Sequence, residues 1–245
     1  VDRRPFSGST ALVTGGARRL GRVLALRLAA LGCDLVVHHH DSAAEAFGLA
    51  SELQALGVQA TVAQADLREP AAAARLVEQA RKQAGRPLRF LVNNASDFPP
   101  VKLEALEWPE LEATLRLDAW APFALTRAFV AQAPAHAAVV NLLDTRIADY
   151  DWEHAGYYLA KRMLADLTRL CAVQFAPKAT VNGVAPGPVK MGTDLDHLAK
   201  HLPMRKLPHP DDVADAALYL LGAPAVTGQV LHVDGGRHLG RAVYG

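Results

Sequence analysis

Thr10-Ala11-Leu12-Val13-Thr14-Gly15-Gly16-Ala17-Arg18-Arg19-Leu20-Gly21 is an apolar run, a glycine cluster and the opening of a helical pattern, in that order. The run is short and apolar, as a buried strand requires, and the residues after Leu20 repeat at helical spacing. Glycines between a strand and a helix let the backbone turn tightly and approach a bound group. The free N–H groups and dipole of the helix start then attract a pyrophosphate. A tight turn alone also explains a glycine cluster, so the rest of the chain has to decide between the two.

Outward from this unit, apolar strand-like runs alternate with longer segments of helical period. Strands are expected near 10–14, 34–39, 59–64, 89–93, 138–143, 180–184 and 229–233, and helices near 20–30, 43–56, 71–84, 110–132, 157–175 and 211–221. Pro210-Asp211-Asp212 marks the start of the last helix, a proline followed by acids in a first turn. The alternation predicts an α/β fold of Rossmann type: one doubly wound parallel sheet of about seven strands with helices on both faces. At 245 residues the chain fits a single domain, 1–245, and no repeat or linker divides it. The irregular stretch 186–208 is expected to be a substrate-binding loop.

A hydrophobic share of 51% with a net charge of +1 describes an ordinary globular protein. The arginines are scattered, which fits a solvated surface and argues against a nucleic-acid partner. Cys33 and Cys171 stand among apolar neighbours and read as core residues in a reducing compartment rather than as a disulfide. No window approaches the roughly 18 consecutive apolar residues of a membrane span, and the first residues lack a signal-peptide core. The expected location is the cytoplasm, with no membrane contact.

Arg18 and Arg19 sit between Gly15 and Gly21, and the second strand ends in His38-His39-His40-Asp41-Ser42. A site that prefers NAD usually carries an acid at the end of that strand to hold the ribose 2′-hydroxyl. Asp41 stands slightly beyond this place, whereas Arg18 and Arg19 supply positive charge for a 2′-phosphate. NADPH is therefore the favoured cofactor and NADH the alternative, with Leu20, His38, His40 and Ser42 counted in the same site. Three adjacent histidines raise the question of a metal. Successive strand residues point to opposite faces, however, so His39 is turned away from His38 and His40. No cysteine or carboxylate pattern accompanies them, and no metal is expected. Asp66, followed by Leu67 after the third strand, can accept a hydrogen bond from an adenine amino group or cap a helix. Asn93-Asn94-Ala95-Ser96 ends the fourth strand, where side-chain amides tie strand ends together or line a cofactor crevice.

Tyr157-Tyr158-Leu159-Ala160-Lys161 carries the chemistry. In a helix the side chains of Tyr157 and Lys161 are neighbours, about 5–6 Å apart between Cβ atoms. An ammonium there favours the phenolate and is expected to pull the tyrosine below its usual value of about 10. A phenol tuned in this way exchanges a proton while a hydride moves beside it.

Together these residues resemble the short-chain dehydrogenase/reductase family, over nearly the entire chain. The glycine loop, Asn93-Asn94-Ala95, Tyr157 with Lys161, the Asn182-Gly183 to Pro186-Gly187 run and Val233-Asp234-Gly235-Gly236 fall in the family's order. Within it the chain looks like the pteridine reductases and the bacterial dihydromonapterin reductases. Arg19 replaces the middle glycine of the usual loop, Asn94-Ala95-Ser96-Asp97-Phe98 replaces Asn-Ala-Gly, and Asp144 stands where most of the family has serine. Asp41 stands where pteridine reductases commonly have an arginine, and Asp118 holds the place of the family's helix asparagine; if that residue acts mainly through its backbone carbonyl, holding a water near Lys161, the change costs little. The resemblance implies Asp144, Tyr157 and Lys161 as catalytic residues and adds Pro186, Gly187 and Val189 to the cofactor site.

Asp144 carries the substrate expectation. The usual serine donates a hydrogen bond to a substrate carbonyl; an ionised carboxylate cannot donate and repels a growing oxyanion. It suits an N-heterocycle, whose ring N–H and amino groups are donors. A protonated Asp144 beside Tyr157 is a further route for the proton. Phe98 is expected to stack a flat bicyclic substrate, contributing roughly 0.5–1.5 kcal/mol beyond burial, and Ser96 to bond a cofactor phosphate or the pterin amino group. The implied reaction is NADPH-dependent reduction of a pterin. A carbonyl reductase and a non-catalytic dinucleotide sensor are the alternatives. On the catalytic helix Leu159, Met163, Leu167 and Leu170 form a second apolar stripe, which predicts a homodimer or homotetramer.

Overall fold

Residues of alternate parity along each strand bury against opposite helix layers, and this alternation organises the molecule. The computed structural model describes residues 5–191 and 195–240. Its strands are β1 (Thr10–Val13), β2 (Asp34–His39), β3 (Ala60–Gln64), β4 (Phe90–Asn93), β5 (Ala137–Leu142), β6 (Ala179–Pro186) and β7 (Val230–Val233). All pair in parallel, in the order β3-β2-β1-β4-β5-β6-β7. The helices are α1 (Arg19–Ala30), α2 (Ala43–Ala55), α3 (Ala72–Ala84), α4 (Trp108–Leu115), α5 (Ala121–Gln132), α6 (Ala155–Phe175), the single turn α7 (Asp196–Ala199) and α8 (Pro210–Gly222).

Val13, Val37, Val92 and Val140 pack with Leu24 and Leu28 of α1, Leu49 and Leu53 of α2 and Val213 of α8. Leu12, Val36, Leu91, Val139 and Val181 face the other way, against Leu76 of α3, Leu125 and Phe129 of α5 and Cys171 of α6. Each fully buried side chain of this size stabilises the fold by roughly 1.5–3 kcal/mol. Cys33 and Cys171 are buried and unpaired, as core residues. Among the described residues no helix is long and apolar enough to cross a membrane.

Of the thirteen expected elements, the strand 34–39 is exact and eleven others differ from the observed ones only at their ends. The remaining difference is structural. The helix expected over 110–132 is two helices, α4 and α5, joined by a widened turn of π-helical type at Arg116–Trp120. Pro122 supplies the reason: it has no N–H to give to the carbonyl of residue 118, and its ring crowds that carbonyl. Asp118 lies in the widened turn and is completely buried. At the other end of the chain, α8 begins at Pro210 with a reciprocal cap. Asp212 accepts from the His209 N–H at 2.7 Å and His209 Nδ1 accepts from the Asp211 N–H at 3.3 Å. In the expected loop 186–208, α7 supplies one helical turn, and residues 192–194 lie outside the described residues.

The chain runs outward from β1 to β2 and β3, then returns to β4 on the other side of β1. Val13 therefore pairs with both Val37 and Val92. The strand order reverses here, and a crevice opens beyond the carboxyl ends of the strands, the position where such sheets bind ligands.

Candidate active site

That crevice has a volume of about 1120 Å³. Gly15, Arg18, Arg19, Leu20, Gly21, His38, His40, Ser42, Asp66, Leu67, Asn94, Ala95, Ser96, Phe98, Asp144, Tyr157, Lys161, Pro186, Gly187 and Val189 all line it. The sequence therefore picked out one continuous surface.

The glycine loop is held down from the sheet. The Thr14 hydroxyl accepts from the backbone N–H groups of Asn94 at 2.9 Å and Ala95 at 3.0 Å. The Asn94 side chain donates to the carbonyls of Thr14 and Gly15 at 2.9 and 3.1 Å. Its amide thus shapes the cofactor loop. A Cβ on Gly21 would stand 2.2 Å from the Gly15 carbonyl oxygen, so this approach requires glycine. Arg18 precedes α1 without a side-chain cap, and the first turn carries no acid. The Arg22 N–H closes on the Arg18 carbonyl at 3.3 Å, and a helix start without a side-chain cap offers free N–H groups of the kind that hold a pyrophosphate.

His38, expected in the cofactor site, lines the crevice and also braces its floor. It is buried, its Nδ1 accepts from the Gly15 N–H at 3.1 Å, and its Nε2 faces the Ala65 carbonyl at 3.1 Å. Burial pushes its pKa down to about 4. A neutral ring therefore bridges the glycine loop to the end of β3. Around the ribose end, exposed Arg18 lies 3.4 Å from Asp41 and 3.6 Å from Glu45. Ser42 donates to Asp41 at 3.1 Å, and His40 lies 3.7 Å from Asp66. Asp66 also accepts from the Arg68 N–H at 3.0 Å, the local capping contact. Arg19 is exposed and adopts φ +51°, a conformation that costs a side-chain-bearing residue about 1–2 kcal/mol.

At the far end of the crevice, Asp144 leaves β5 in an extended conformation and caps the turn Thr145–Ala148. Its Oδ1 accepts from the Arg146 N–H at 2.8 Å and its Oδ2 accepts the Tyr157 hydroxyl at 3.1 Å. The turn is anchored from behind, where Thr145 donates to the buried carboxylate of Asp234. Lys161 donates to the Leu142 carbonyl at 3.0 Å and pairs with Asp118 at 3.2 Å. The Ser96 hydroxyl also donates to Asp118, so it is not a free donor for a phosphate and keeps only acceptor capacity on the crevice side.

The expectation for the Tyr157 phenol is reversed. Burial, then the charges of Asp144 and Asp118, hold it well above the usual tyrosine value. Lys161 does not offset them: its ammonium is 5.4 Å from the ring centroid and directed at two oxygens elsewhere. The phenol is a proton donor here.

A family profile described as enoyl-(acyl carrier protein) reductase matches residues 15–238, nearly the entire chain. The protein is a short-chain dehydrogenase/reductase. FolM alternative dihydrofolate reductase 1 from Brucella canis, solved with NADP, superposes with a TM-score of 0.92 at 31% identity, covering 99% of this chain and 100% of that one. Pteridine reductase 1 of Leishmania tarentolae is 32% identical over 95% of this chain and 97% of its own. The 3-oxoacyl-[acyl-carrier-protein] reductase of Staphylococcus epidermidis is 28% identical over 94% and 99%.

In this short-chain dehydrogenase/reductase the crevice wall also brings together residues that the sequence did not reveal. Arg146 lies 3.6 Å from Asp144, 2.7 Å from Asp151 and 4.7 Å from the centre of the Phe98 ring. His154 stacks on Phe98 with centroids 3.8 Å apart, and Phe98 meets Tyr157 edge-on at 4.7 Å. Phe98 is thus fixed by three neighbours at the crevice wall, with 43% of its surface exposed. Asp151 binds the N–H groups of Glu153 and His154, a local Asp turn legible in principle from Asp151-Trp152-Glu153-His154. No comparable pattern marks Arg146.

Proposed function

We propose that this enzyme is an NADPH-dependent pterin reductase, taking a dihydropterin to its tetrahydro form, with dihydrofolate as a candidate of the same ring system. The carrying observation is Asp144, a carboxylate that accepts the Tyr157 hydroxyl at 3.1 Å where a carbonyl reductase needs a donor. A ketone has no N–H to give this carboxylate, whereas a pterin offers ring and amino donors. The free lone pairs of Ser96 favour an amino group in the same way. The NADP-bound Brucella relative and the Leishmania pteridine reductase support the reading.

The residues fit the cofactor: the uncapped start of α1 suits the pyrophosphate, and Arg18 and Arg19 suit a 2′-phosphate. When bound, the cofactor supplies a hydride. Tyr157 gives its proton to the nitrogen of the C=N bond as the adjacent carbon gains that hydride, so the π bond is replaced by C–H and N–H bonds. The phenolate left behind, facing Asp144 and buried, regains a proton from solvent. Asp144 holds donor groups of the substrate and orients the phenol. We read the chain further as a cytoplasmic homodimer or homotetramer, because Leu159, Met163 and Leu170 of α6 are exposed apolar residues on one stripe. Turnover of a dihydropterin with NADPH, against none with a β-ketoacyl thioester, tests the substrate reading.

A further inference from the structure

Asp118 and Lys161 are a buried ion pair one contact away from the reacting phenol. Asp118 is completely buried, and the Lys161 side chain is 4% exposed. The Asp118 carboxylate takes the Ser96 hydroxyl and the ammonium on Oδ1 and the Asp97 N–H at 3.4 Å on Oδ2. The ammonium spends its other directed contact on the Leu142 carbonyl at 3.0 Å. A cation acts on a neighbouring phenol through its net field, and a carboxylate 3.2 Å from it cancels most of that field in a low-dielectric interior. Asparagine at this place would keep the contacts of Ser96 and the ammonium through its carbonyl oxygen, lose the one from the Asp97 N–H, and leave the positive charge uncompensated.

We propose that Asp118 is a positioning residue that holds Lys161 in a neutral pair and so keeps Tyr157 in the protonated form that gives its proton in reduction. The proposal deepens the reductase reading and rests on it only for the substrate that takes the proton. The charged and titratable groups around Tyr157 are Asp144 and Arg146 from the turn after β5, Asp118 from the π-type turn, Lys161 on its own helix and His154 at that helix's start. Among them two carboxylates oppose ionisation and two cations favour it, and one of those cations is already paired with Asp118. In reduction the phenol O–H bond breaks and a substrate N–H bond forms, while NADPH is oxidised and the C=N bond is reduced. Oxidation runs the same proton transfer backwards from the phenolate, so the Asp118–Lys161 pair sets the pH range of each direction and leaves the equilibrium between them unchanged.

Tyrosinate absorbance of the ligand-free protein, with Tyr157→Phe as the blank for the remaining tyrosines, reads the phenol directly and needs no substrate. Wild type should show no Tyr157 ionisation below the ordinary value of about 10. Asp118→Asn should lower the midpoint by about one to three units, Asp118→Glu should restore it, and Asp118→Asn/Lys161→Met should return it towards wild type. The alkaline limb of kcat/KM for reduction should move down with the midpoint in Asp118→Asn. A wild-type phenol ionising well below the ordinary value overturns the proposal, even where Asp118→Asn does not fold. An unchanged midpoint in a folded Asp118→Asn protein overturns it equally. Failure to turn over any pterin sinks the substrate reading and leaves the titration result standing.

Discussion

The Tyr157 hydroxyl donates to Oδ2 of Asp144 at 3.1 Å, across thirteen residues of chain and from a different element. The contact joins a buried phenol to a carboxylate in one crevice wall, and most of the functional argument depends on it. Replacing Asp144 by Ser removes an acceptor that bonds charged or polar substrate donors, an interaction contributing about 1.5–3 kcal/mol. We expect Asp144→Ser to lose about 10- to 100-fold in kcat/KM for a dihydropterin and to gain measurable ketone reduction. Steady-state assays on both substrates check it; equal or better pterin turnover contradicts it.

Tyr157→Phe removes the crevice hydroxyl that donates to Asp144, the group assigned to supply the proton. General acids of this kind contribute about 10²–10⁴-fold. Turnover should fall by that factor while NADPH binding, followed by nicotinamide fluorescence, is retained. Full turnover by Tyr157→Phe excludes the phenol as donor.

His38 makes stability depend on pH. Its folded value is about 4 against an ordinary 6.5, so between these the unfolded chain binds a proton that the folded chain refuses. Stability contributed by His38 is complete above pH 6.5 and is lost as pH falls towards 4, on the order of 3 kcal/mol at about 1.4 kcal/mol per unit. Urea midpoints measured from pH 7 to pH 4 should fall in wild type and fall less in His38→Gln. Parallel curves argue against the buried neutral ring.

Arg18 is shared between Asp41 and Glu45 at exposed positions, so a 2′-phosphate competes with carboxylates for the same guanidinium. Exposed pairs of this kind are worth about 0.2–1 kcal/mol. Asp41→Ala should lower KM for NADPH by about two- to fivefold and leave KM for NADH nearly unchanged. A higher KM for NADPH shows Asp41 to be a ligand rather than a competitor.

The apolar stripe on α6 gives a prediction about assembly. Leu170 and Met163 are exposed beside the buried catalytic face of the same helix. Sedimentation should find a dimer or tetramer in wild type, and Met163→Glu/Leu170→Glu should yield smaller species. A wild-type monomer at micromolar concentration removes the assembly proposal.

Strand positions were legible as short apolar runs, because a parallel sheet is covered on both faces: Leu12, Val36 and Leu91 bury on one side and Val13, Val37 and Val92 on the other. Tyr157, Lys161 and Asp144 were legible as residue types at set positions. Their electrostatics were not. A helical spacing places Lys161 beside Tyr157, but it says nothing of Asp118, which reaches the ammonium because Pro122 widens a turn. His38 was legible as a residue of the crevice but not as a buried brace, since its partners Gly15 and Ala65 come from separate strand ends. Arg146 stays silent in the sequence for the same reason: Asp144, Asp151 and Phe98 converge on it only after folding.

The most direct measurement is a stopped-flow record of NADPH oxidation with equal concentrations of a dihydropterin and a β-ketoacyl thioester, each offered alone. Rapid oxidation with the dihydropterin and none with the thioester is predicted. Rapid oxidation with the thioester, and none with any dihydropterin, contradicts the assignment of Asp144 to an N-heterocycle.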